Sequence, residues 1–308
     1  HMTIVDILGA GGRQFLRHLL TNDVDALPHI GRAQYSCMCN AHGGIIDDLI
    51  VYQRAPDNYR LVLNSATREP DLRWIREKAH GFSVGLQERT DLSMLAVQGP
   101  LAIEKTLAIL NPSQVDALST IAPFECVDVG QWFFARTGYT GEDGLEIIVP
   151  QQDINHLWES LLQAGVKPCG LAARDTLRLE AGMLLYGQDM DESTTPLESG
   201  LGWIVNWQRD DRDFIGKGAL VSQKQHGLKR KLVGLTLQDK GIMRTGQRVL
   251  VDGYADGIIT SGTFSPTLGQ SIALARVPIE TTDTVFVEIR GKQHLAQVGK
   301  PRFVKQGK

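Results

Sequence analysis

Apolar positions change period several times along the chain, and the changes predict its elements. Met2 to Leu8 is rich in β-branched residues and predicts a strand, ended by Gly9, Gly11 and Gly12. Arg13 to Leu20 puts Phe15, Leu16, Leu19 and Leu20 on one helical face. Tyr35–Cys39 and Ile45–Tyr52 are strand-like runs joined by Asn40-Ala-His-Gly-Gly44, whose glycines suit positive φ. Tyr59–Leu63 continues the sheet, and Thr67 is placed to cap a helix through about Ala79, with Pro70 in its first turn. Phe82–Leu86 and Leu92–Val97 predict two more strands, and a helix follows Gly99-Pro100. A hairpin is expected around Gly130, then a strand at Leu145–Val149. Asp153 to Ala164 is the clearest helix: Ile154, Leu157, Trp158, Leu161 and Leu162 fall at i, i+3, i+4, i+7 and i+8, and Gly165 stops it. Leu171–Ala181 and Lys217–Gln225 predict two further helices.

From Lys231 the pattern becomes short β-rich runs: Leu232–Leu237, Arg248–Val251, Gly257–Thr260, Ser271–Val277, Val285–Ile289 and His294–Val298. Turn residues separate them closely, which predicts a small all-β barrel or sandwich. The chain therefore reads as a mixed α+β body followed by a C-terminal β domain. Strands and helices do not alternate regularly, which disfavours a doubly wound parallel sheet.

Composition narrows the function classes. The 308 residues suggest about two domains. Apolar content of 42% and charged content of 22% are ordinary for a soluble globular chain. Lys plus Arg number 32 and Asp plus Glu 35, a net charge of −3, which argues against nucleic-acid binding by bulk charge. A local pocket can still be positive. No apolar run approaches the ~18 residues of a membrane span. No basic–apolar leader opens the chain, but His1 cannot initiate translation and marks a processed or trimmed start. Four cysteines, Cys37, Cys39, Cys126 and Cys169, are too few for a disulfide scaffold and suggest a reducing compartment. Cys37-x-Cys39 has no CxxC or HxxxH companion, so no metal site is expected.

Several familiar motifs fail. Gly9-Ala-Gly11-Gly12 would need a third glycine at Gln14 to resemble a dinucleotide fingerprint. Ile215-Gly-Lys-Gly218 lacks the Ser or Thr of a phosphate loop. The eight histidines are scattered; His42, in its glycine loop, is the best placed for a role, but a surface or packing reading is favoured.

Three segments resist a purely structural reading. In Gly43-Gly44-Ile45-Ile46-Asp47-Asp48-Leu49-Ile50-Val51-Tyr52, two adjacent carboxylates sit within an apolar strand. Period 2 sends Ile46, Asp48, Ile50 and Tyr52 to one face and Asp47, Leu49 and Val51 to the other. An aspartate on either face needs hydrogen bonds or a cavity, because burying an unpaired charge is costly. Turn acceptors at a strand end are an equal alternative. Arg136-Thr-Gly-Tyr-Thr-Gly-Glu-Asp-Gly-Leu-Glu146 is a glycine-rich loop able to bring backbone close to a ligand, or an Asp-Gly hairpin with an exposed acidic tip. In Gly170-Leu-Ala-Ala-Arg174-Asp-Thr-Leu-Arg178-Leu-Glu180-Ala-Gly182, Arg174 and Arg178 share a helical face at i, i+4 and repel unless paired. A bound anion would relieve them; the plain reading is a weak Asp175–Arg178 surface pair.

Taken in order with Tyr35-Ser36, Asp91 to Pro100, Leu185 to Glu192, Asp213 to Lys217 and Ile259 to Gly269, these segments resemble the aminomethyltransferase (T-protein) family of the glycine cleavage system. The resemblance runs over essentially the whole chain. It implies an α+β fold: a folate-binding clover-leaf of mixed α/β subdomains with a C-terminal β-barrel. The implied domains are 1–35 with 120–228 (folate-binding), 36–119 (inserted) and 229–308 (barrel). Family members carry a further segment upstream of His1, including part of the folate domain, so lower activity of this shorter chain is an expectation.

The implied reaction passes the one-carbon unit of an aminomethyl group, held on the lipoyl arm of the H-protein carrier, to tetrahydrofolate as acceptor substrate. The products are ammonia and 5,10-methylenetetrahydrofolate, and no metal takes part. The family's catalytic aspartate matches Asp48, where a carboxylate near the folate amine can stabilise positive charge and orient attack. Its pterin-binding glutamate matches Glu146, an acceptor for two parallel N–H groups. Its arginine matches Arg174, able to hold Glu146 or the pterin oxygen. Tyr35 and Tyr139 match aromatic positions beside the folate, and Asp175 and Arg178 are assigned to structure. The expected partners are the lipoylated carrier and folate, without nucleic acid or membrane. A bacterial cytoplasm is favoured over a mitochondrial matrix. The alternatives are a non-catalytic folate binder of the same fold, whose cysteine-bearing loop is not matched by Arg136–Asp143, and the folate domain of a flavin-dependent demethylase.

Overall fold

The computed structural model describes residues 2–208 and 211–307. His1 lies outside the described residues. The first unit contains β1 (Met2–Leu8), α1 (Gly12–Leu19), β2 (Ala33–Cys39), β3 (Ile45–Ala55), β4 (Asn58–Asn64), α2 (Arg68–Lys78) and β5 (Gly85–Glu88). Its sheet runs β2-β3-β4-β1-β5 with antiparallel pairing throughout. One face packs under α1 and α2 through Phe15, Leu16, Leu49, Leu61, Leu72 and Ile75. Each such fully buried side chain contributes about 1.5–3 kcal/mol of apolar transfer.

The second unit contains β6 (Leu92–Gln98), α3 (Ala102–Leu107), α4 (Pro112–Leu118), β7 (Cys126–Val129), β8 (Trp132–Ala135), β9 (Gly144–Pro150) and α5 (Ile154–Gln163). Its sheet order is β6-β9-β8-β7. The helices cover one face; the other meets the first sheet through Ile4, Tyr52, Val62, Phe133 and Ile148. The two sheets thus stack face to face between helical layers.

Then come α6 (Leu171–Glu180), α7 (Lys217–His226) and the strands β10 (Arg230–Leu237), β11 (Arg248–Leu250), β12 (Gly257–Ser265), β13 (Gln270–Pro278), β14 (Thr284–Ile289) and β15 (Lys292–Gly299). The six strands close into an antiparallel barrel in the order β10-β13-β12-β11-β14-β15. The expected α+β body with a C-terminal barrel is borne out. Helix α6 lies against the barrel exterior through Leu179, Leu232, Ile272 and Leu274. Gly182 ends it with φ +73°, and a Cβ there would meet the Pro301 carbonyl oxygen at 2.4 Å, so only glycine serves.

The expected division at 35/36 is not where the sheets divide. β1 sits inside the first sheet, hydrogen-bonded to β4 and β5, so residues 1–35 cannot be separated from residues 36–88. The layers change between β5 and β6. Three local expectations also shift. Thr67 precedes α2 without a capping bond; its hydroxyl donates to the Asn64 carbonyl at 3.0 Å. On α5, Leu157 and Leu161 are buried, whereas Trp158 and Leu162 are exposed, so its apolar stripe is wider than the face it buries. A β-bulge opposite Met38 and Cys39 breaks the alternation at Ile46, which joins Leu49 and Val51 instead of facing with Asp48.

Candidate functional site

A cavity of about 520 Å³ opens where the first sheet, the second sheet, the 182–203 segment and the barrel's C-terminal extension converge. All five residues singled out for the site line it: Tyr35 and Asp48 from β2 and β3, Tyr139 and Glu146 from the second unit, and Arg174 from α6. They come from four separate stretches of sequence, so tertiary packing assembles the site.

Asp48 is the strand aspartate on the cavity side. It pairs across to Cys37, two register positions from Tyr35 opposite Ile50. The Tyr35 hydroxyl donates to Asp48 Oδ2 at 2.8 Å, and Asn64 Nδ2 donates to Asp48 Oδ1 at 3.1 Å. Asp48 touches solvent only through the cavity and otherwise lies deep in the fold. Burial and the neighbouring Asp47 push its carboxyl up to about 7, and the bonds from Tyr35 and Asn64 pull the other way. It therefore changes charge near neutrality, where a group that orients and stabilises an amine is useful.

Asp47 points to the opposite, helix-covered face and is fully buried. It accepts from Asn64 N at 3.1 Å and Asn64 Nδ2 at 2.8 Å. The strand-end turn reading of the pair is therefore not what forms: both lie in β3, one toward the cavity and one toward α2.

Glu146 is buried in β9. It accepts from the Thr137 hydroxyl at 2.6 Å, and Thr137 is within 2.9 Å of the Tyr52 hydroxyl. Burial raises its pKa, while Thr137 and the charge of Arg174 oppose the rise. Arg174 does not pair directly with Glu146; its guanidinium lies over the Tyr139 ring at 4.5 Å. The Tyr139 hydroxyl donates to the Leu184 carbonyl, which ties the glycine loop to the segment after α6. Trp203, 71% exposed, stacks on Tyr35 with ring centroids 6.0 Å apart.

Arg178, one turn beyond Arg174, leaves the site. It is buried and bonds Asp189 at 2.8 Å, Asp175 at 2.8 Å, Ser261 at 2.9 Å and the Met183 carbonyl at 3.2 Å. It fastens α6 to β12 of the barrel: the Asp175 side of the expected pair stays exposed, and the buried network runs from Arg178 to Asp189 and Ser261. His42 is exposed and lies outside the cavity lining.

Three participants escape a sequence reading. Asn64 ends β4 as an ordinary polar residue, yet it braces both aspartates. Thr137 hides inside the glycine loop. Trp203 sits in an irregular segment with no periodicity to mark its face. Among the described residues no cluster of His, Cys, Asp and Glu suits a metal, and no helix is long and apolar enough to cross a membrane.

Comparisons with known proteins concern the chain as a whole. The family described as "GCVT N-terminal domain" matches residues 1–209, and "Glycine cleavage T-protein C-terminal barrel domain" matches residues 230–305. A curated aminomethyltransferase from Legionella pneumophila is 76% identical over 308 residues, covering 100% of this chain and 86% of that protein. One from Alcanivorax borkumensis is 56% identical over 307 residues, covering 100% of this chain and 84% of that protein. The crystal structure of glycine cleavage system aminomethyltransferase T from Bartonella henselae superposes with a TM-score of 0.92 at 33% identity, covering 99% of this chain and 85% of that one.

Proposed function

The chain belongs to the glycine cleavage T-protein family of aminomethyltransferases, and from that premise we propose that its acceptor is tetrahydrofolate and its donor an aminomethyl group on a lipoylated carrier. The products would be 5,10-methylenetetrahydrofolate, ammonia and the reduced carrier. The observation that carries this reading is the pairing of two carboxylates of different character in one cavity: Asp48, poised near 7, and Glu146, buried and fixed by Thr137.

The lining fits a reduced folate. A buried carboxylate on Glu146 is matched to the two parallel N–H donors of an aminopyrimidinone ring. Tyr139 under Arg174, and Tyr35 under Trp203, offer flat apolar faces for ring systems. Asp48 then holds the acceptor amine in line with the incoming carbon and offsets the positive charge that develops there. Its bonds to Tyr35 and Asn64 fix the carboxylate before substrate arrives, so little reorganisation is needed during the reaction. The cavity's largely apolar walls strengthen that interaction relative to water. No metal enters the scheme. A bacterial cytoplasm, where lipoylated carriers and reduced folates coexist, is the proposed setting.

The two alternatives rank lower. Both a non-catalytic folate binder and a demethylase domain sit poorly with 56–76% identity to aminomethyltransferases across the whole chain. The test is ammonia release from aminomethyl-loaded carrier, measured with and without tetrahydrofolate. Folate-dependent release is expected, and release at equal rates in both would refute the acceptor assignment.

A further inference from the structure

Behind Asp48, on the helix-covered face of the first sheet, two more carboxyl groups are buried against each other. Asp47 projects from β3, and Asp71 comes down from the first turn of α2. Both are 0% exposed, and neither lines the cavity. Asp47 is held by Asn64 through its backbone and side-chain nitrogens. Both Asp71 carboxylate oxygens lack a donor. Thr67 lies beside Asp71, but its single hydroxyl proton goes to the Asn64 carbonyl.

Two ionised carboxylates can only accept, so as a doubly charged pair they would repel, unsolvated, in an apolar layer. One proton resolves this: an O–H of one donates to the other, the pair carries a single charge, and the donor missing at Asp71 is supplied. The remaining groups that act on the pair are Asp48 on β3, Cys37 on β2, and Glu192 and Tyr186 from the segment after α6. None of these supplies a positive charge. The direction of titration agrees: burial raises both carboxyls, Asp71 raises Asp47 further, and contact with Asp47 lowers Asp71, as expected when Asp47 holds the proton and Asp71 accepts it.

We propose that Asp71 is a positioning residue for the reaction: it shares one buried proton with Asp47, and that proton holds the Asp47–Asn64 brace against which Asp48 is set. The link to Asp48 is geometric. One Asn64 side-chain nitrogen serves Asp47 Oδ1 at 2.8 Å and Asp48 Oδ1 at 3.1 Å. If the shared proton leaves, the two carboxylates separate, Asn64 follows Asp47, and Asp48 loses one of its two fixed partners. This inference rests on the catalytic reading of Asp48, but the existence of the shared proton does not.

The experiment compares the parent with Asp71→Asn, whose amide N–H can replace the shared proton and cannot be lost. Two readouts separate the claims. The first is unfolding by urea from about pH 5 to about pH 9, where the native parent holds one proton more than its unfolded chain. Its unfolding constant should therefore rise, relative to the variant's, by up to about tenfold per pH unit. The second is the pH profile of turnover. The parent should lose kcat on the alkaline side as the proton leaves, the variant should lack that limb, and KM for folate should match in both. Parallel stability curves would overturn the shared proton. A stability difference with superimposable kcat profiles would overturn the positioning role. If Asp71→Asn does not fold, Asp47→Asn serves, with the same loss of pH slope expected. Should Asp48 itself prove dispensable, the first readout still decides whether the proton is there.

Discussion

Replacing Tyr35 with phenylalanine removes one atom from the site and leaves its ring against Trp203. What is lost is the 2.8 Å bond from the hydroxyl to Asp48 Oδ2. That bond favours the ionised carboxylate, so its loss raises the Asp48 pKa further. A hydrogen bond to a charged group is worth about 1.5–3 kcal/mol, and about 1.4 kcal/mol corresponds to one pH unit, so the rise is at least about one unit. Asp48 in the parent titrates at about 7 and is half ionised at neutral pH. One unit higher, about a tenth is ionised, so turnover at pH 7 should fall about fivefold or more. The defect should shrink as pH rises and the carboxylate is recovered. The assay is ammonia release from loaded carrier at saturating tetrahydrofolate, across the pH range in which both proteins stay folded. A displaced acid limb with convergence at high pH is the expected result. A uniform loss at every pH, or an unmoved limb, would refute the claim that Tyr35 acts by tuning Asp48.

Two further substitutions probe the pterin carboxylate and the barrel joint. Glu146→Gln keeps an acceptor for Thr137 but loses the charge, so tetrahydrofolate should bind about 10–100-fold more weakly by fluorescence titration, with little change in melting temperature. Arg178→Leu leaves Asp189 buried beside Ser261 and Thr260 without its cation, so unfolding should become easier by about 3–5 kcal/mol in urea titrations.

The barrel was legible because its six strands are short β-rich runs bounded by turn residues, which local pattern alone can show. Its closure order was not, since β10 pairs with β13 and β15 across intervening strands. The division of the body was misplaced for the same reason: nothing local in Met2–Leu8 says that it will lie between β4 and β5. Helix α4 does carry local signals, an Asn111–Gln114 capping box with Pro112 in the first turn, but it is too short for periodicity to reveal. At the site, Asp48 stood out because a charge in an apolar strand needs a reason. Asp71 did not, because an acid in a helix's first turn is ordinary until the strand beneath it proves to carry another. Arg178 was expected in a structural role, and its i, i+3 pair with Asp175 forms, but its buried partners Asp189 and Ser261 lie too far along the chain for spacing to show.

The most direct test of the central claim is Asp48→Asn, assayed for folate binding and for turnover on the same preparation. The amide retains the size of the side chain and an acceptor for Tyr35 or Asn64, so the fold and tetrahydrofolate affinity should stay close to the parent's. Turnover should drop by about 100-fold or more, the scale on which removing one positioned electrostatic group acts. Turnover equal to the parent's, with folate bound equally well, would show that the chemistry lies elsewhere in the cavity.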